Sequence, residues 1–498
     1  MNRWIINPLC KKAKINKAVY GHFSEHLGRC IYQGIYVGTE SSVPNVNGIR
    51  KDVVEALKEM RIPVLRWPGG CFADQYHWRD GIGPKEQRKK IVNTNWGGVV
   101  EDNTFGTHEF MELCTLLGCD AYINGNVGSG TVQEMSDWVE YLTSGNESPL
   151  TQERCENGQE KPWDVAYWAI GNENWGCGGH MIPEQYAYEY RKYSAYCRHH
   201  TLGKKLYRVA CGADGADYNW TENLMKVLSV PAPFGTKLVE GVSVHYYTTT
   251  GGWDYKGSAT EFTDKEYYSL LSRALFMDEL LRRHTHVMDR YDPNKEIGLV
   301  VDEWGTWYEV EPGTNPSFLY QQNTMRDALV AALTLNIFHK HADRVHMANL
   351  AQIVNVLQSV ILTEGDKMVK TPTYHVFRMF SPHQDSTVVD SFIETKPIGM
   401  DSIEIPNLHE SVSVSEEGIL NLSICNLSAT ESFEVQSILV ETNISEITAS
   451  ILTEEPHAYN TFDKPETVEE QPFTDFIIQE NKICFSIPAC SIIQFAVK

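Results

Sequence analysis

Long apolar runs are missing from this sequence. Nowhere do about 18 apolar residues follow one another, which is the length that a membrane-spanning helix needs. Residues 1–8 also lack the continuous apolar core of a secretion signal. We therefore expect a cytoplasmic protein without a membrane partner.

Positive charge is scarce relative to negative charge. The 498 residues include 43 Lys and Arg against 65 Asp and Glu, which gives a formal net charge of -22. A surface this acidic repels nucleic acids and anionic lipid headgroups. We therefore do not expect nucleic acid as a partner.

Motifs for metals and cofactors are also missing. The chain has no H-E-x-x-H, no paired C-x-x-C and no P-loop, and it lacks the G-x-S-x-G turn of serine hydrolases. Its 12 cysteines are scattered along a long chain, which favours buried free thiols over disulfides. We expect neither a metal nor a cofactor.

Short apolar runs alternate with amphipathic segments through residues 17–380. In the segments between the runs, apolar residues recur at i, i+3 and i+4, which is typical of helices. Eight such runs predict a (β/α)8 TIM barrel, with a doubly wound open sheet as the alternative. Residues able to bind or react stand at the ends of the runs, and a barrel would gather them around one mouth: Glu25, Arg66, Asn172, Glu173, His245, Tyr247, Glu303 and Gln352.

The pattern changes after about residue 380. Helical periodicity stops and apolar residues alternate with polar ones, as in residues 419–425 and 482–487. This alternation predicts a jelly-roll-like antiparallel β-sandwich over residues 381–498. Residues 1–16 either add a strand to that sandwich or form a frayed terminus.

Two glutamates stand out because each ends an apolar run beside aromatic residues. Glu173 lies between Trp168 and Trp175, and Glu303 precedes Trp304. Glycoside hydrolysis needs two carboxyl groups, one on each side of the bond that breaks, and Trp faces stack on sugar rings. The pair therefore indicates a glycosidase.

Structural roles are open for the same residues. Glu173 could occupy the first turn of a helix capped by Asn172. Glu303 could form a buried ion pair with Arg66, which would make both residues structural. The residues alone do not decide between a catalytic and a structural role for the two glutamates.

Six motifs in chain order carry a resemblance to a known family. Together they resemble the α-L-arabinofuranosidases of glycoside hydrolase family 51, and the resemblance covers the whole barrel and the β-sandwich. The motifs are Gly21-His22-Phe23-Ser24-Glu25-His26, Leu65-Arg66-Trp67-Pro68-Gly69-Gly70, Gly171-Asn172-Glu173, His245-Tyr246-Tyr247, Val301-Asp302-Glu303-Trp304 and Asn349-Leu350-Ala351-Gln352.

The resemblance implies a retaining, exo-acting hydrolase of terminal α-L-arabinofuranosyl residues, with Glu173 as acid/base and Glu303 as nucleophile. It also implies substrates derived from arabinoxylan or arabinan, and a homohexamer. A β-xylosidase, an endo-β-glucanase and a non-catalytic carbohydrate-binding protein are the alternatives.

The resemblance implies further roles around the two glutamates. Arg66 and His245 would keep Glu303 ionised and Glu173 oriented. Cys71 stands where several family members carry Asn, and a thiol donates weakly, so either the backbone makes that sugar contact or the subsite tolerates a different arrangement of hydroxyls. The residues implied to contact substrate are Glu25, Cys71, Asn172, Tyr247 and Gln352, with Trp96 and Trp175 as walls beyond the sugar.

Overall fold

The computed structural model describes residues 1–498, apart from the side chain of Phe234. Eight strands, each parallel to both neighbours, close into a barrel. This closure confirms the predicted TIM barrel and excludes the open sheet. In chain order the barrel strands are Gly21–Phe23, Val64–Trp67, Asp120–Gly125, Tyr167–Ile170, Tyr207–Asp214, Gly241–Thr248, Gly298–Thr306 and Val345–Ala351.

Several of the α-helices begin at a residue whose side chain caps a free backbone N–H group. At the longest one, the Thr263 hydroxyl accepts the N–H of Glu266 at 3.3 Å and the Glu266 carboxylate accepts the N–H of Thr263 at 2.7 Å. None of the described helices is both long and apolar enough to cross a bilayer. The α-helices are Lys51–Glu59, Thr107–Leu117, Val132–Thr143, Pro149–Glu156, Pro183–Tyr196, Tyr218–Leu228, Asp264–Asp289, Met325–Lys340 and Pro372–Phe380.

A ten-stranded sheet follows the barrel, and the predicted fold class is confirmed in this part too. The N-terminal strand Asn2–Lys14 lies inside this sheet, antiparallel to Thr387–Ile393 and parallel to Phe433–Leu439. The domain boundaries at residues 17, 380 and 381 stay predictions. The other strands are Leu408–Val414, Leu420–Asn426, Ile447–Thr453, Gln471–Pro472, Phe476–Gln479, Lys482–Ile487 and Ser491–Val497.

The helix Met325–Lys340 joins the barrel to the sheet. Nearly all of its residues are buried, since it packs against the barrel on one side and against sheet strands on the other. At the sheet side, the Asn336 side-chain oxygen accepts hydrogen bonds from Ser411 at 2.7 Å and Ser423 at 2.8 Å. These bonds fix the sheet against the helix that precedes the last barrel strand.

We expect the N-terminal strand to stabilise the sheet through Trp4. Trp4 is fully buried and its indole N–H donates to Glu410 at 3.0 Å, whereas the neighbouring Ile5 points outward and is 42% exposed. Trp4→Ala should lower the free energy of unfolding by about 3 to 5 kcal/mol, as for other buried Trp truncations. Ile5→Ala is the matched control and should change it by less than about 1 kcal/mol. Equal effects in urea unfolding would contradict the assigned burial.

Candidate active site

The carboxyl ends of the barrel strands gather the predicted residues into one site. Arg66 lies on the second strand, His245 and Tyr247 on the sixth, and Glu303 on the seventh. Asn172 and Glu173 follow the fourth strand, Glu25 follows the first and Gln352 follows the eighth. All eight side chains are buried or half-buried.

A shift in strand pairing aligns two of these residues. The register between the sixth and seventh strands changes after Val244, so that His245 pairs with Glu303 rather than with Asp302. Such irregularities re-aim side chains at sites on sheets. The shift therefore turns Glu303 toward the barrel mouth beside His245.

The Pro-Gly-Gly turn after the second strand lies against two carboxylates. A Cβ on Gly69 would stand 2.5 Å from Cγ of Glu25, and one on Gly70 would stand 3.1 Å from Oε1 of Glu303. Gly69 also has a φ of 155°, which L side chains rarely adopt. Only glycine lets the backbone come this close, as the turn residues predict.

Glu303 is surrounded by donors and positive charge. Its Oε1 accepts from Arg66 at 2.9 Å, and its Oε2 accepts from the Tyr247 hydroxyl at 2.7 Å. Burial alone would raise the pKa of Glu303, but the charges of His245 and Arg66 and the hydrogen bonds from Tyr247 and Arg66 outweigh it and lower the pKa. Glu303 is therefore held ionised.

The pKa of Glu173 is shifted in the opposite direction. Burial raises its pKa, and the negative charge of Glu303 adds to this effect, although a hydrogen bond from His245 Nδ1 to Oε1 at 2.9 Å opposes it. One oxygen of Glu173, one oxygen of Glu303 and a ring nitrogen of His245 all lie within 4.8 Å of one another. Two neighbouring carboxyl groups thus have pKa values shifted in opposite directions.

His245 bridges the two glutamates. Burial disfavours its charged form, but the negative charges of Glu303 and Glu173 and the hydrogen bond to Glu173 raise its pKa to about 9. At neutral pH the imidazole is therefore a cation that donates to Glu173 and lies 3.6 Å from Glu303.

Glu25 and Gln352 form a second polar group at the site. Glu25 accepts from the Phe72 backbone N–H at 3.0 Å, the Trp96 indole N–H at 2.9 Å and Gln352 at 3.1 Å. Burial nevertheless raises the pKa of Glu25 to about 7. The side-chain oxygen of Gln352 has no hydrogen-bond partner among the described residues. Trp96 therefore meets Glu25 at the site, while Trp175 is half-buried two residues beyond Glu173.

Arg66 forms buried ion pairs, as the structural alternative predicted, and these ion pairs lie inside the site. Besides Glu303, its Nε lies 3.6 Å from Asp302, and its Nη2 donates to Asn124 at 2.7 Å and to Asn172 at 2.6 Å. The fully buried guanidinium thus ties the second, third, fourth and seventh strands together.

Asp74 was missed by the sequence reasoning. This buried carboxylate accepts the backbone N–H groups of Val127 at 2.7 Å, Gly128 at 2.8 Å and Asn172 at 2.8 Å. It joins the loops that follow the second, third and fourth strands. An acidic residue three positions after Cys71, in a turn that follows a barrel strand, is the signal that could have found it.

The expectation of free thiols is wrong at one pair of cysteines. Cys71 and Cys177 form a disulfide, whereas the other ten cysteines are free. The two lie 106 residues apart in the sequence, on the loops after the second and fourth barrel strands. Sequence spacing could not reveal this pair, because the barrel brings those loops together. Cys71 therefore cannot meet a ligand as a thiol.

An aromatic path, which we define as Tyr247, Trp307 and Trp253, leads out of the site. Trp307 meets Tyr247 edge-on with ring centroids 5.0 Å apart, and Trp253 meets Trp307 edge-on at 5.3 Å. Trp253 is 57% exposed at the outer end. The sequence reasoning missed this use of Trp253 and Trp307, although the abundance of Trp after barrel strands was a signal.

Two family models match the chain, and together they cover most of it. The model described as alpha-L-arabinofuranosidase 1 domain matches residues 56–252, and the model described as alpha-L-arabinofuranosidase C-terminal domain matches residues 302–491. The chain is also similar to an intracellular exo-alpha-L-arabinofuranosidase of Bacteroides ovatus, with 48% identity over 97% of this chain and 93% of that protein.

Solved structures resemble the whole chain. A family 51 arabinofuranosidase from Xanthomonas axonopodis pv. citri has a TM-score of 0.97 and 44% identity, covering 100% of this chain and 99% of that one. An alpha-L-arabinofuranosidase from Thermotoga maritima, solved as an arabinose complex, has a TM-score of 0.87 and 29% identity, covering 100% of both chains. The match extends through barrel and sheet alike.

We expect Tyr247→Phe to raise the pKa of Glu303. The variant removes one hydrogen bond to the ionised form, worth about 1.5 to 3 kcal/mol, which corresponds to about one to two pKa units. Titration of ¹³C-labelled glutamate carboxyl groups would measure the shift, with Glu303→Gln identifying the resonance. Tyr246→Phe is the control, because the Tyr246 hydroxyl donates to the Arg273 carbonyl instead. An unchanged pKa in Tyr247→Phe would contradict the assigned contact.

Proposed function

The chain belongs to the α-L-arabinofuranosidases of glycoside hydrolase family 51, and from that premise we propose how its own residues act. The enzyme removes terminal non-reducing α-L-arabinofuranosyl residues by double displacement with retention. The observation that carries this proposal is the pair of carboxyl groups, Glu173 and Glu303, with oxygens within 4.8 Å and pKa values moved in opposite directions. Retaining glycosidases have carboxyl groups about 5 to 5.5 Å apart, whereas inverting ones leave room for a water at about 6.5 to 9.5 Å.

In the first step Glu303 attacks the anomeric carbon while Glu173 donates its proton to the glycosidic oxygen. The lowered pKa of Glu303 favours the ionised nucleophile, and the raised pKa of Glu173 favours the protonated form that donates to the leaving group. The aglycone leaves as an alcohol and an arabinosyl ester forms on Glu303.

In the second step Glu173, now ionised, takes a proton from water, which attacks the anomeric carbon and breaks its bond to Glu303. The charge on His245 stabilises the carboxylate that Glu173 has become, since its Nδ1 lies 2.9 Å from that group. Glu303 departs as the carboxylate that Arg66 and Tyr247 already solvate. Both steps invert the anomeric carbon, so the product retains the starting configuration.

Unpaired polar atoms support the sugar-binding roles. Asn172 Nδ2 and Gln352 Oε1 are buried and have no hydrogen-bond partner among the described residues, although such groups are normally paired. We assign Asn172 to the 2-hydroxyl of arabinose, and Glu25 and Gln352 to its other hydroxyls. Cys71 contributes to this subsite through its backbone.

The aglycone lies along aromatic surfaces beyond the arabinose. Trp96 and Trp175 form its inner walls, and the aromatic path from Tyr247 through Trp307 to Trp253 continues outward. Sugar rings stack on such faces. This surface suits oligosaccharides derived from arabinoxylan or arabinan.

The compartment and the assembly are further parts of the proposal. The Bacteroides ovatus relative is named as an intracellular enzyme. By that likeness the chain acts in the cytoplasm on short imported oligosaccharides. By family resemblance it assembles as a homohexamer.

Substitution of each glutamate tests the mechanism on 4-nitrophenyl α-L-arabinofuranoside. Glu303→Ala should abolish hydrolysis, because it removes the carboxylate on which the arabinosyl ester forms. Glu173→Ala should lose at least about 100-fold in rate, as general acid/base catalysis typically contributes that much. Azide should take the place of water in the second step, restore the rate of Glu173→Ala and yield the α-arabinosyl azide.

Three outcomes would contradict this mechanism. They are hydrolysis by Glu303→Ala, a β-azide product from Glu173→Ala, and preferential cleavage of the β-D-xylopyranoside analogue by the wild type. Matched Glu→Ala variants at Glu222 and Glu309, outside the site, are the controls for general damage.

The aromatic path has its own test. Trp253→Ala should raise KM for arabino-oligosaccharides about fivefold, since losing one aromatic stack costs roughly 1 kcal/mol. The same variant should leave kcat/KM for the 4-nitrophenyl arabinoside within about twofold, because that aglycone ends before Trp253. Tyr255→Ala, at a comparably exposed neighbour, is the control. A loss on both substrates would contradict the proposed position of the aglycone.

A further inference from the structure

The Cys71–Cys177 disulfide lies against the carboxyl group of Glu173. The Sγ atom of Cys71 is 3.7 Å from Oε2 of Glu173, and that of Cys177 is 3.5 Å from the same oxygen. His245 contacts the other oxygen, Oε1, at 2.9 Å. One oxygen of the acid/base therefore faces a cation and the other faces two sulfur atoms.

We propose that Cys71 and Cys177 are positioning residues for Glu173, and that reduction of their disulfide weakens Glu173 as a general acid. This inference rests on the proposed function, because it assumes that Glu173 protonates the leaving group. It assigns a role to a bond that joins the loops after the second and fourth strands directly at the reacting carboxyl group.

The disulfide holds Glu173 in two ways. It anchors the loop that follows the fourth strand, where Glu173 has a φ of 42°, a conformation unfavourable for a residue with a side chain. It also presents sulfur atoms without protons, which cannot donate to Oε2. The disulfide therefore places two sulfur atoms against that oxygen and offers the ionised carboxylate no hydrogen bond.

Reduction changes both conditions. Two S–H groups would each become able to donate weakly to Oε2, and the released loop would admit water. Both changes favour the ionised form of Glu173. The other charged and titratable groups near this carboxyl, His245, Glu303 and Asp214, keep their places on barrel strands.

The redox step is an ordinary thiol–disulfide exchange with a small dithiol. A thiolate of the dithiol attacks one sulfur, the Cys71–Cys177 bond breaks, and the departing cysteine takes up a proton. The second thiol of the reductant then displaces the other cysteine and closes a cyclic disulfide. Two electrons and two protons pass from the dithiol to the protein.

The position of this pair makes it reactive, in contrast to most of the other cysteines. Both residues are half-buried at the mouth of the barrel, where small molecules enter, whereas Cys30, Cys197 and Cys211 are buried free thiols. Disulfides in reducing compartments are typically transient and sensitive to redox conditions. The pair therefore couples the general-acid function of Glu173 to the redox state of the surrounding solution.

The first measurement is a thiol count under denaturing conditions. Protein purified without reductant, or treated with oxidised dithiothreitol, should titrate ten thiols, and protein treated with dithiothreitol should titrate twelve. If twelve thiols titrate after both treatments, the disulfide does not form and the proposal fails.

The second measurement compares kcat/KM of the two forms on substrates that differ in their need for an acid. Reduction should lower kcat/KM for methyl α-L-arabinofuranoside at least about tenfold, while a dinitrophenyl arabinoside, whose leaving group needs little protonation, should change less than about twofold. The basic limb of the pH profile for the methyl arabinoside should move to lower pH, because Glu173 must be protonated and its pKa falls.

Cysteine variants distinguish a specific effect on Glu173 from a general loss of structure around the disulfide. The double variant Cys71→Ser/Cys177→Ser should have the kcat/KM values of the reduced form, and dithiothreitol should not change them. Cys155→Ser, at an exposed free cysteine, is the control and should respond to dithiothreitol as the wild type does. Equal losses on both substrates would identify a merely structural bond and overturn the proposal. No arabinosidase activity in either form would instead contradict the proposed function itself.

Discussion

The buried ion pair between Arg66 and Glu303 is the interaction on which the site depends. A carboxylate as deeply buried as Glu303 would normally take up a proton. Glu303 stays ionised because the charges of His245 and Arg66 and the hydrogen bonds from Tyr247 and Arg66 stabilise its negative charge. Arg66 is itself fully buried and needs the oxygens of Asn124, Asn172 and Asp302. The charge of one glutamate thus requires side chains from most of the barrel strands around it.

The same arrangement explains why the two glutamates differ although they lie within 4.8 Å of each other. Positive charge and donors surround Glu303, while Glu173 has only His245 on one side and sulfur atoms on the other. Two like charges at this distance disfavour each other, so ionisation of Glu303 itself helps to raise the pKa of Glu173. The proposed roles of acid and nucleophile therefore follow from the neighbours of each glutamate rather than from residue type.

The barrel and most of the candidate residues could be predicted because both follow from local patterns. Glu25, Asn172 and Gln352 stand directly after apolar runs, and a barrel must gather such positions at one mouth. Features that depend on packing between distant segments could not be predicted from the sequence. The Cys71–Cys177 bond, the three backbone contacts of Asp74 and the register shift at His245 arise only once the loops and strands are placed together.

The N-terminal strand illustrates the same limit in the sheet domain. Its alternation was compatible with pairing or fraying, and the decision rests on Trp4, which fills the sheet core and bonds to Glu410 at 3.0 Å more than 400 residues later in the chain. The helix Met325–Lys340 then connects that sheet to the barrel through Asn336. The strands that bear the site and the distant sheet are thus parts of one packed structure.

Covalent trapping tests the central claim most directly. Glu173→Ala, mixed with a dinitrophenyl α-L-arabinofuranoside, can form the arabinosyl ester but lacks the base that hydrolyses it. Mass spectrometry of the quenched and digested protein should find one added pentosyl group on the peptide that contains Glu303. A pentosyl group on another residue would contradict the account, and so would the release of inverted arabinose without any trapped ester.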